Sequence, residues 1–273
     1  RAELQSALAA ALPSGSLHFG MECSGIDVQE KRVAVTFANG ASDIADLLVG
    51  ADGIHSIVRR ILFPDIQPRY SGYTAWRGIA NGDAPTVFET WGSGTRFGIV
   101  PLQRERIYWF ATQNTRAGAI VPPEERRERL LAIFGAWHPP IPQLIADTPP
   151  EKILHNDIYD IAPFRTWSRG RALLLGDAAH PTTPNMGQGA CMAIESANVL
   201  ATELAKGDAV EAAIARYESQ RMPRTARITN ESWRIGRVAQ MENPLALALR
   251  NFVVRVAPAS VTESHFLRTI VEG

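Results

Sequence analysis

The stretch from residue 171 to residue 190 constrains the fold more than any other part of the chain. Residues 172–175 form a short, continuous apolar run, which is typical of a strand buried on both faces. Asp177 follows this run, and Gly187 and Gly189 open a long helical segment. Glycine lets backbone N–H groups approach a ligand closely, and a helix start carries partial positive charge. This strand–turn–helix unit therefore predicts a site for a phosphate or an anionic ring edge.

The same residues resemble a motif of a known protein family. The chain reads Gly-Asp-Ala-Ala-His over residues 176–180, Pro-Asn-Met-Gly-Gln-Gly over residues 184–189 and Met-Ala-Ile-Glu over residues 192–195. This succession resembles the second flavin motif of the FAD-dependent aromatic hydroxylases, class A flavoprotein monooxygenases of p-hydroxybenzoate hydroxylase-like fold. Salicylate and urate hydroxylases and zeaxanthin epoxidase are similar. The family usually has Asp where this chain has Ser196, and we expect the change to be mild because the position lies beyond the flavin contacts.

The resemblance implies contacts between this motif and FAD. Asp177 would accept hydrogen bonds from hydroxyls of the ribityl or ribose part, and Pro184 would border the isoalloxazine ring. The backbone amides of Gly187, Gln188 and Gly189 would stabilise negative charge on the pyrimidine edge of the ring.

A second acidic motif follows another apolar run. Residues 47–49 are apolar, and residues 50–53 read Gly-Ala-Asp-Gly; by themselves they are compatible with ordinary α/β packing. Ahead of the first motif, they resemble the Asp-Gly motif of the same hydroxylases. The resemblance implies that Asp52 lies near the flavin pyrophosphate and that His55 and Arg59 belong to a neighbourhood tied to NAD(P)H use. It also aligns Arg1 with a position that contacts the pyrophosphate.

Residues between the two motifs predict a substrate-binding unit. Strand signals occur at residues 73–79, 86–91, 97–100 and 107–112, helix signals at 124–137 and 141–146, and a returning strand at 152–159. In the resembled family such an antiparallel sheet faces the flavin and forms the substrate pocket. Arg77 and Arg96 are candidate substrate contacts, because a buried arginine can clamp a carboxylate or enolate, although the sequence around each arginine by itself favours an exposed edge residue. No side chain is an obvious general base, and His180 is interpreted as fixing its loop.

These patterns together predict an α/β fold. We expect an FAD/NAD(P)-binding, glutathione reductase-like parallel sheet, incomplete at the N-terminus, with an antiparallel substrate domain and C-terminal helices. The predicted boundaries are residues 1–68 and 166–210 for the two FAD-binding parts, 69–165 for the substrate domain and 211–273 for the C-terminal helices. Further predictions are helices at residues 3–12 and 245–256, a strand at 17–28, and a helix over 208–240 that is interrupted at Pro223.

Composition narrows the function classes. Lys plus Arg and Asp plus Glu number 28 each, so no global field favours nucleic acid or an anionic membrane. Cys23 and Cys191 are too few and too distant for a zinc cluster or a disulfide framework, which favours no metal and a cytoplasmic protein. No apolar run is long enough to span a bilayer.

The chain lacks one element that the resembled fold requires. No Gly-x-Gly-x-x-Gly turn for the adenosine part of FAD occurs in the 273 residues. We therefore expect these residues alone to bind FAD weakly or not at all and to show no monooxygenase turnover, unless a missing N-terminal fragment remains associated. We also expect them to pair readily with another chain, for example as a homo-oligomer. The predicted function is an FAD- and NAD(P)H-dependent monooxygenase that uses O2 to hydroxylate or epoxidise an aromatic or conjugated small molecule. The alternatives are another flavoenzyme of this fold, a halogenase or reductase, and a truncated remnant without catalytic activity.

Overall fold

The computed structural model describes residues 2–256. Its strands are β1 (Cys23–Val28), β2 (Val33–Phe37), β3 (Ser42–Ala45), β4 (Leu48–Gly50), β5 (Arg69–Asn81), β6 (Phe88–Trp91), β7 (Thr95–Leu102), β8 (Arg106–Asn114), β9 (Leu154–Asp160), β10 (Ser168–Arg169) and β11 (Ala172–Leu174). Its α-helices are α1 (Ala2–Ala10), α2 (Ile57–Leu62), α3 (Arg126–Phe134), α4 (Ile141–Ala146), α5 (Gly189–Leu204), α6 (Val210–Ala239) and α7 (Pro244–Val256). Helix α4 matches its predicted bounds, and most other elements differ from prediction at their ends.

The two apolar runs that precede the acidic motifs are neighbouring strands. β4 pairs in parallel with β11, and β10 completes the sheet on the other side of β11. Ala172, Leu173 and Leu174 are fully buried, as a two-sided apolar strand requires. Parallel strands end at the same edge of a sheet, so the residues that follow β4 and β11 meet there.

A second, antiparallel sheet is formed by β1, β2 and β3. Its first strand begins at Cys23, so the prediction of a strand from residue 17 was wrong for its first six positions. Gly20 adopts a left-handed backbone with φ 71°, which an extended strand cannot contain. Val33 and Val35 face the same core as β11.

The third sheet has five strands in the order β6-β7-β8-β5-β9, all antiparallel, and so includes the predicted returning strand. One face packs against α3 and α4 through a core that contains Trp76, Phe97 and Trp109. Gly78 is required there, because a Cβ would lie 2.4 Å from Cζ2 of the Trp109 indole. The other face, described below, looks toward the motif at residues 184–189.

The long helix α6 corrects one prediction. It runs without a break from Val210 to Ala239, with Pro223 inside it. A proline in a helix costs about 3 kcal/mol, but α6 packs along α5 and against the turn at Pro184–Met186, and these contacts hold it together. Among residues 2–256, no helix combines the length and the apolar character that crossing a lipid bilayer requires.

Candidate functional site

The turn after β11 presents Asp177 to the outside. Gly176 has φ 61°, a left-handed conformation that glycine adopts without strain, and a single 3-10 turn spans Gly176–Ala178. A Cβ at Gly176 would lie only 3.4 Å from the Cβ of Ala193, so α5 packs close behind this turn. Ala178 and Ala179 are buried, whereas Asp177 is exposed at the carboxyl end of the strand. The carboxylate is therefore displayed on a rigid base.

The second part of the motif leads into a helix without a side-chain cap. A 3-10 turn spans Pro184–Met186, and Gly187 follows with φ 66°. Nothing lies within 4 Å of a Cβ placed on Gly187. Gln188 precedes α5, and its side chain makes no capping hydrogen bond to the first turn. The Gln188 side chain thus does not satisfy the amides at the start of this 16-residue helix, the part of a helix that suits an anionic ligand.

The Asp-Gly motif caps the short helix α2. Asp52 Oδ2 accepts hydrogen bonds from the amides of Ile57 (2.7 Å) and Val58 (3.1 Å). Ser56 accepts a further hydrogen bond from the Arg59 amide at 2.8 Å. Asp52 is exposed, and it follows β4 at the same sheet edge where Asp177 follows β11. The two acidic residues that the sequence singled out therefore share one edge.

Arg59 joins the two motifs from within the protein. Its side chain is 1% exposed, and its guanidinium donates to the carbonyls of Ile54 and, at 2.9 Å, Ala178. Burial lowers the pKa of Arg59 from its usual value. His55, four residues earlier, is exposed in the intervening turn. Arg59 thus fixes the Asp-Gly loop against the Gly-Asp turn, a link that the sequence did not reveal. Arg1 lies outside the described residues.

Asn185 connects the motif to the five-stranded sheet, and sequence reasoning missed it. Its Oδ1 accepts hydrogen bonds from Arg96 Nη2 at 2.8 Å and from the Tyr73 hydroxyl at 3.3 Å. Its Nδ2 donates to Thr183 Oγ1 (2.9 Å) and to the Ser232 carbonyl (2.8 Å). One amide therefore joins two strands and α6 to the turn. Its place inside the glycine motif, after Pro184, was the only available signal.

Arg96 is the centre of this connection. Its side chain is 3% exposed and forms an ion pair with Glu89 at 3.1 Å. Its Nε donates to Gln240 Oε1 at 3.0 Å and to Thr112 Oγ1 at 3.3 Å. Arg96 is thus a buried residue whose nitrogens all have protein partners. Arg77, by contrast, is half-buried and reaches only Asn156 Oδ1, at 3.5 Å.

The sheet face that carries Arg96 also carries half-buried aromatic rings. Phe110 pairs with Gly98 across the strands, and a Cβ at Gly98 would lie 2.1 Å from Phe110 Cζ, so the ring lies over the glycine. Tyr108 stands one row further along, with its ring centroid 6.3 Å from that of Phe110. Arg77 is the cross-strand neighbour of Phe110. A planar molecule could lie on these rings with a cation beside it.

His180, the last residue of the Gly-Asp motif, is buried and uncharged. Its Nε2 lies 3.0 Å from Ser196 Oγ, which accepts a hydrogen bond from Arg221 Nε at 3.1 Å. Burial and the nearby Arg221 lower the His180 pKa to about 4, and Glu195 acts weakly in the other direction. The Ser196 hydroxyl is the direct partner of the motif histidine, a contact that the sequence did not reveal, and the expectation that Ser196 is a mild departure stays a prediction.

Comparison with known proteins identifies the family. Residues 4–232 match the family model described as FAD binding domain. The chain belongs to this family. Aurachin C monooxygenase/isomerase of Stigmatella aurantiaca is 42% identical over 274 residues, covering 99% of this chain and 71% of that protein. The FAD-dependent urate hydroxylase of Klebsiella pneumoniae is 38% identical over 232 residues, 82% of this chain and 60% of the relative. The chain is thus a flavin-dependent monooxygenase by family.

A solved structure supports the same assignment. Klebsiella pneumoniae HpxO, complexed with FAD and uric acid, superposes with a TM-score of 0.94 at 32% identity, over 100% of this chain and 72% of that one. A salicylate hydroxylase substrate complex, with a TM-score of 0.76 and 21% identity, shares the fold. The residues of this chain fit a flavin: Asp177 is exposed, Gly187 leaves open space, and the Gln188 side chain does not cap α5. Residues 2–256 gather no group of three His, Cys, Asp or Glu side chains that could hold a metal ion.

Proposed function

We propose that this chain forms the substrate-binding part and the flavin ring-binding part of an NAD(P)H-dependent monooxygenase that hydroxylates or epoxidises an aromatic or conjugated small molecule. The main support for the proposal is the hydrogen bond from Arg96 to Asn185. It joins the glycine motif, which contains Asn185, to the sheet face that carries Arg96 and the aromatic rings. A cofactor edge and a planar-substrate face are thereby held at fixed separation. Bound flavin would supply the oxygen chemistry: two-electron reduction by NAD(P)H and activation of O2 for transfer of one oxygen atom.

Each candidate site residue has a role in this proposal. Asp177 would accept hydrogen bonds from ribityl or ribose hydroxyls, and Pro184, which is exposed, would border the ring. The amides of residues 187–189, including Gln188, would bind the pyrimidine edge and stabilise negative charge there. Asp52 caps the start of α2, and the proposal places this helix start near the pyrophosphate. Arg59 acts by holding the Asp-Gly loop, while His55 and Arg1 are the residues left to contact nucleotide directly.

The substrate would lie between the flavin and the rings of Phe110 and Tyr108. Arg77 is the cation best placed to meet a carboxylate or enolate there, because its one side-chain hydrogen bond is long. Arg96 serves to hold the cofactor turn against the sheet. Two relatives carry names that agree with a planar substrate, namely the urate hydroxylase and the 2-heptyl-3-hydroxy-4(1H)-quinolone synthase of Pseudomonas aeruginosa, the latter 35% identical over 268 residues.

Further features belong to the same proposal. The parallel pair of β4 and β11 supports a glutathione reductase-like cofactor sheet. The unpaired thiols Cys23 and Cys191 support a cytoplasmic location. The proposal also divides the chain at residues 68/69, 165/166 and 210/211, and the span of the five-stranded sheet from Arg69 to Asp160 and the start of α6 at Val210 support these divisions to within a few residues. A further N-terminal fragment or a homo-oligomeric partner would complete the adenosine site.

Replacing Asp177 tests the proposed cofactor site. Asp177→Ala should weaken FAD binding roughly tenfold to a hundredfold, because a hydrogen bond to a charged group contributes about 1.5–3 kcal/mol. The dissociation constant of FAD is measured from quenching of flavin fluorescence, with the melting temperature as a check on folding. Asp43→Ala, an exposed aspartate on β3 in a different sheet, is the matched control. Equal FAD affinity in both variants would refute the role of Asp177.

A further inference from the structure

The five-stranded sheet buries its apolar side chains on one face but leaves apolar side chains exposed on the other. On the α3/α4 side, Phe97, Ile99 and Trp109 are completely buried. On the opposite side, Ile79, Leu102 and Leu154 are 48%, 38% and 58% exposed. Contiguous exposed apolar surface of this kind marks a binding site more often than chance.

These residues form a continuous row with the proposed substrate face. Cross-strand pairing places Leu154 beside Arg77 and Phe110, then Ile79 beside Tyr108 and Val100, then Leu102 beside Arg106. The apolar strip is defined as Ile79, Val100, Leu102, Tyr108, Phe110 and Leu154. Successive rows are two residues apart along the strands, so the strip extends roughly 13 Å from Phe110 to Leu102.

The face of the strip is fixed by contacts at its near end. Side chains alternate along a strand, and Arg96, which binds Asn185 of the cofactor turn, lies on the same side of β7 as Gly98, Val100 and Leu102. The strip therefore begins beside the cofactor turn and leads away from it. Arg77 lies at the near end of the strip, between Phe110 and Leu154, and Arg106 lies at its far end beside Leu102.

From this continuity we propose that the substrate carries an aliphatic chain that lies along the apolar strip, with its planar ring on Phe110 beside Arg77. The inference rests on the proposed function and adds the substrate class to it. Short polar aromatics would leave the strip uncovered, whereas an aliphatic tail would cover Ile79 and Leu154 first and Leu102 last. A longer chain would therefore contact more rows, so the affinity should increase with chain length until the last row is reached.

Binding of phenol, 4-propylphenol and 4-heptylphenol to the FAD-loaded protein tests this by calorimetry. A fully buried methylene tightens binding roughly fourfold, so a half-covered propyl chain should tighten it about tenfold over phenol. Ile79→Asn and Leu154→Asn should reduce the ratio of the dissociation constants of phenol and 4-propylphenol to about twofold or less. Leu102→Asn should reduce the further gain in affinity from 4-propylphenol to 4-heptylphenol and leave the gain from phenol to 4-propylphenol unchanged. Ile44→Asn, at a 57% exposed position on β3, is the matched control and should change neither ratio.

Each outcome is decisive. A ratio near one in the parent protein, or a ratio that survives Ile79→Asn and Leu154→Asn alike, overturns the inference. So does a dimer that dissociates in these two variants, since a second copy would then cover the strip. NAD(P)H oxidation measured with the same phenols separates a failure of the aliphatic-chain inference from a failure of the proposed monooxygenase function. Oxidation of the ring without any gain from the chain contradicts the inference alone, whereas chain-dependent binding without oxidation contradicts the monooxygenase function.

Discussion

Replacing Arg96 with methionine should lower the free energy of unfolding by about 3 kcal/mol and the melting temperature by roughly 6–12 °C. The guanidinium, 3% exposed, pairs with Glu89 and donates to Asn185 and Gln240. Methionine fills the volume but donates nothing, so the buried amide oxygens of Asn185 and Gln240 lose their strongest donor. The turn that carries the glycine motif should then loosen, and bound FAD should be lost together with stability.

Arg77→Met provides the matched control for this experiment. Arg77 stands on the same sheet face but makes one side-chain hydrogen bond, at 3.5 Å. Its loss should cost less than about 0.5 kcal/mol, as for other half-exposed polar residues. Urea unfolding of both variants measures the difference, and substrate-stimulated NAD(P)H oxidation reports separately on Arg77. Equal stabilities would show that the Arg96 network contributes nothing, and unaltered oxidation in both variants would exclude an arginine clamp on the substrate.

What the sequence could predict was local. The Gly-Asp turn, the buried strand before it and the uncapped helix after it arise from residues within about twenty positions, where backbone preferences of glycine and proline decide the conformation. Helix α4 was likewise predictable, since an apolar segment between prolines has few alternatives. The direct pairing of β4 with β11 was not predicted, because the family resemblance implied only a parallel sheet and no local pattern specifies a partner 124 positions away.

The side-chain roles were less accessible, because they depend on contacts between distant segments. Arg59 was expected near nucleotide, yet its guanidinium donates to a carbonyl 119 residues away. Arg96 was expected to bind substrate, and its nitrogens instead bind residues up to 144 positions away. A sequence shows that an arginine is present but not which carbonyl or amide oxygen will reach it. Both roles toward ligand stay predictions for the measurements above.

Ser196, which stands where the resembled family usually has Asp, removes one negative charge from the buried cluster of His180, Ser196 and Arg221. The hydroxyl accepts from Arg221, whose Nη2 is paired with Glu195 at 2.9 Å. Its own proton is then free for His180 Nε2, which suits a neutral imidazole. A carboxylate at position 196 would instead favour the imidazolium form. The serine is therefore compatible with a neutral motif histidine, whose pKa is lowered mainly by burial.

The His180 pKa of about 4 makes the stability of the protein depend on pH in a defined window. The unfolded chain binds a proton near pH 6.5, whereas the folded protein does so only near pH 4. The contribution of His180 to the free energy of unfolding is at its maximum above pH 6.5, the pKa in the unfolded chain, and falls as the pH decreases from 6.5 toward 4. Between pH 7 and pH 5 the loss should reach about 2 kcal/mol.

Replacing His180 with glutamine isolates this contribution. His180→Gln has no proton to gain, so its free energy of unfolding should fall by about 2 kcal/mol less than that of the parent protein between pH 7 and pH 5. Ser196→Asp should act in the same direction by raising the pKa of the imidazole through the new carboxylate. Urea unfolding at pH 7, 6 and 5 measures all three proteins, and carboxylates elsewhere contribute equally to each. Parallel pH profiles of the parent protein and His180→Gln would mean that the pKa of His180 is the same in the folded and the unfolded protein, because only a difference between these two pKa values makes stability depend on pH.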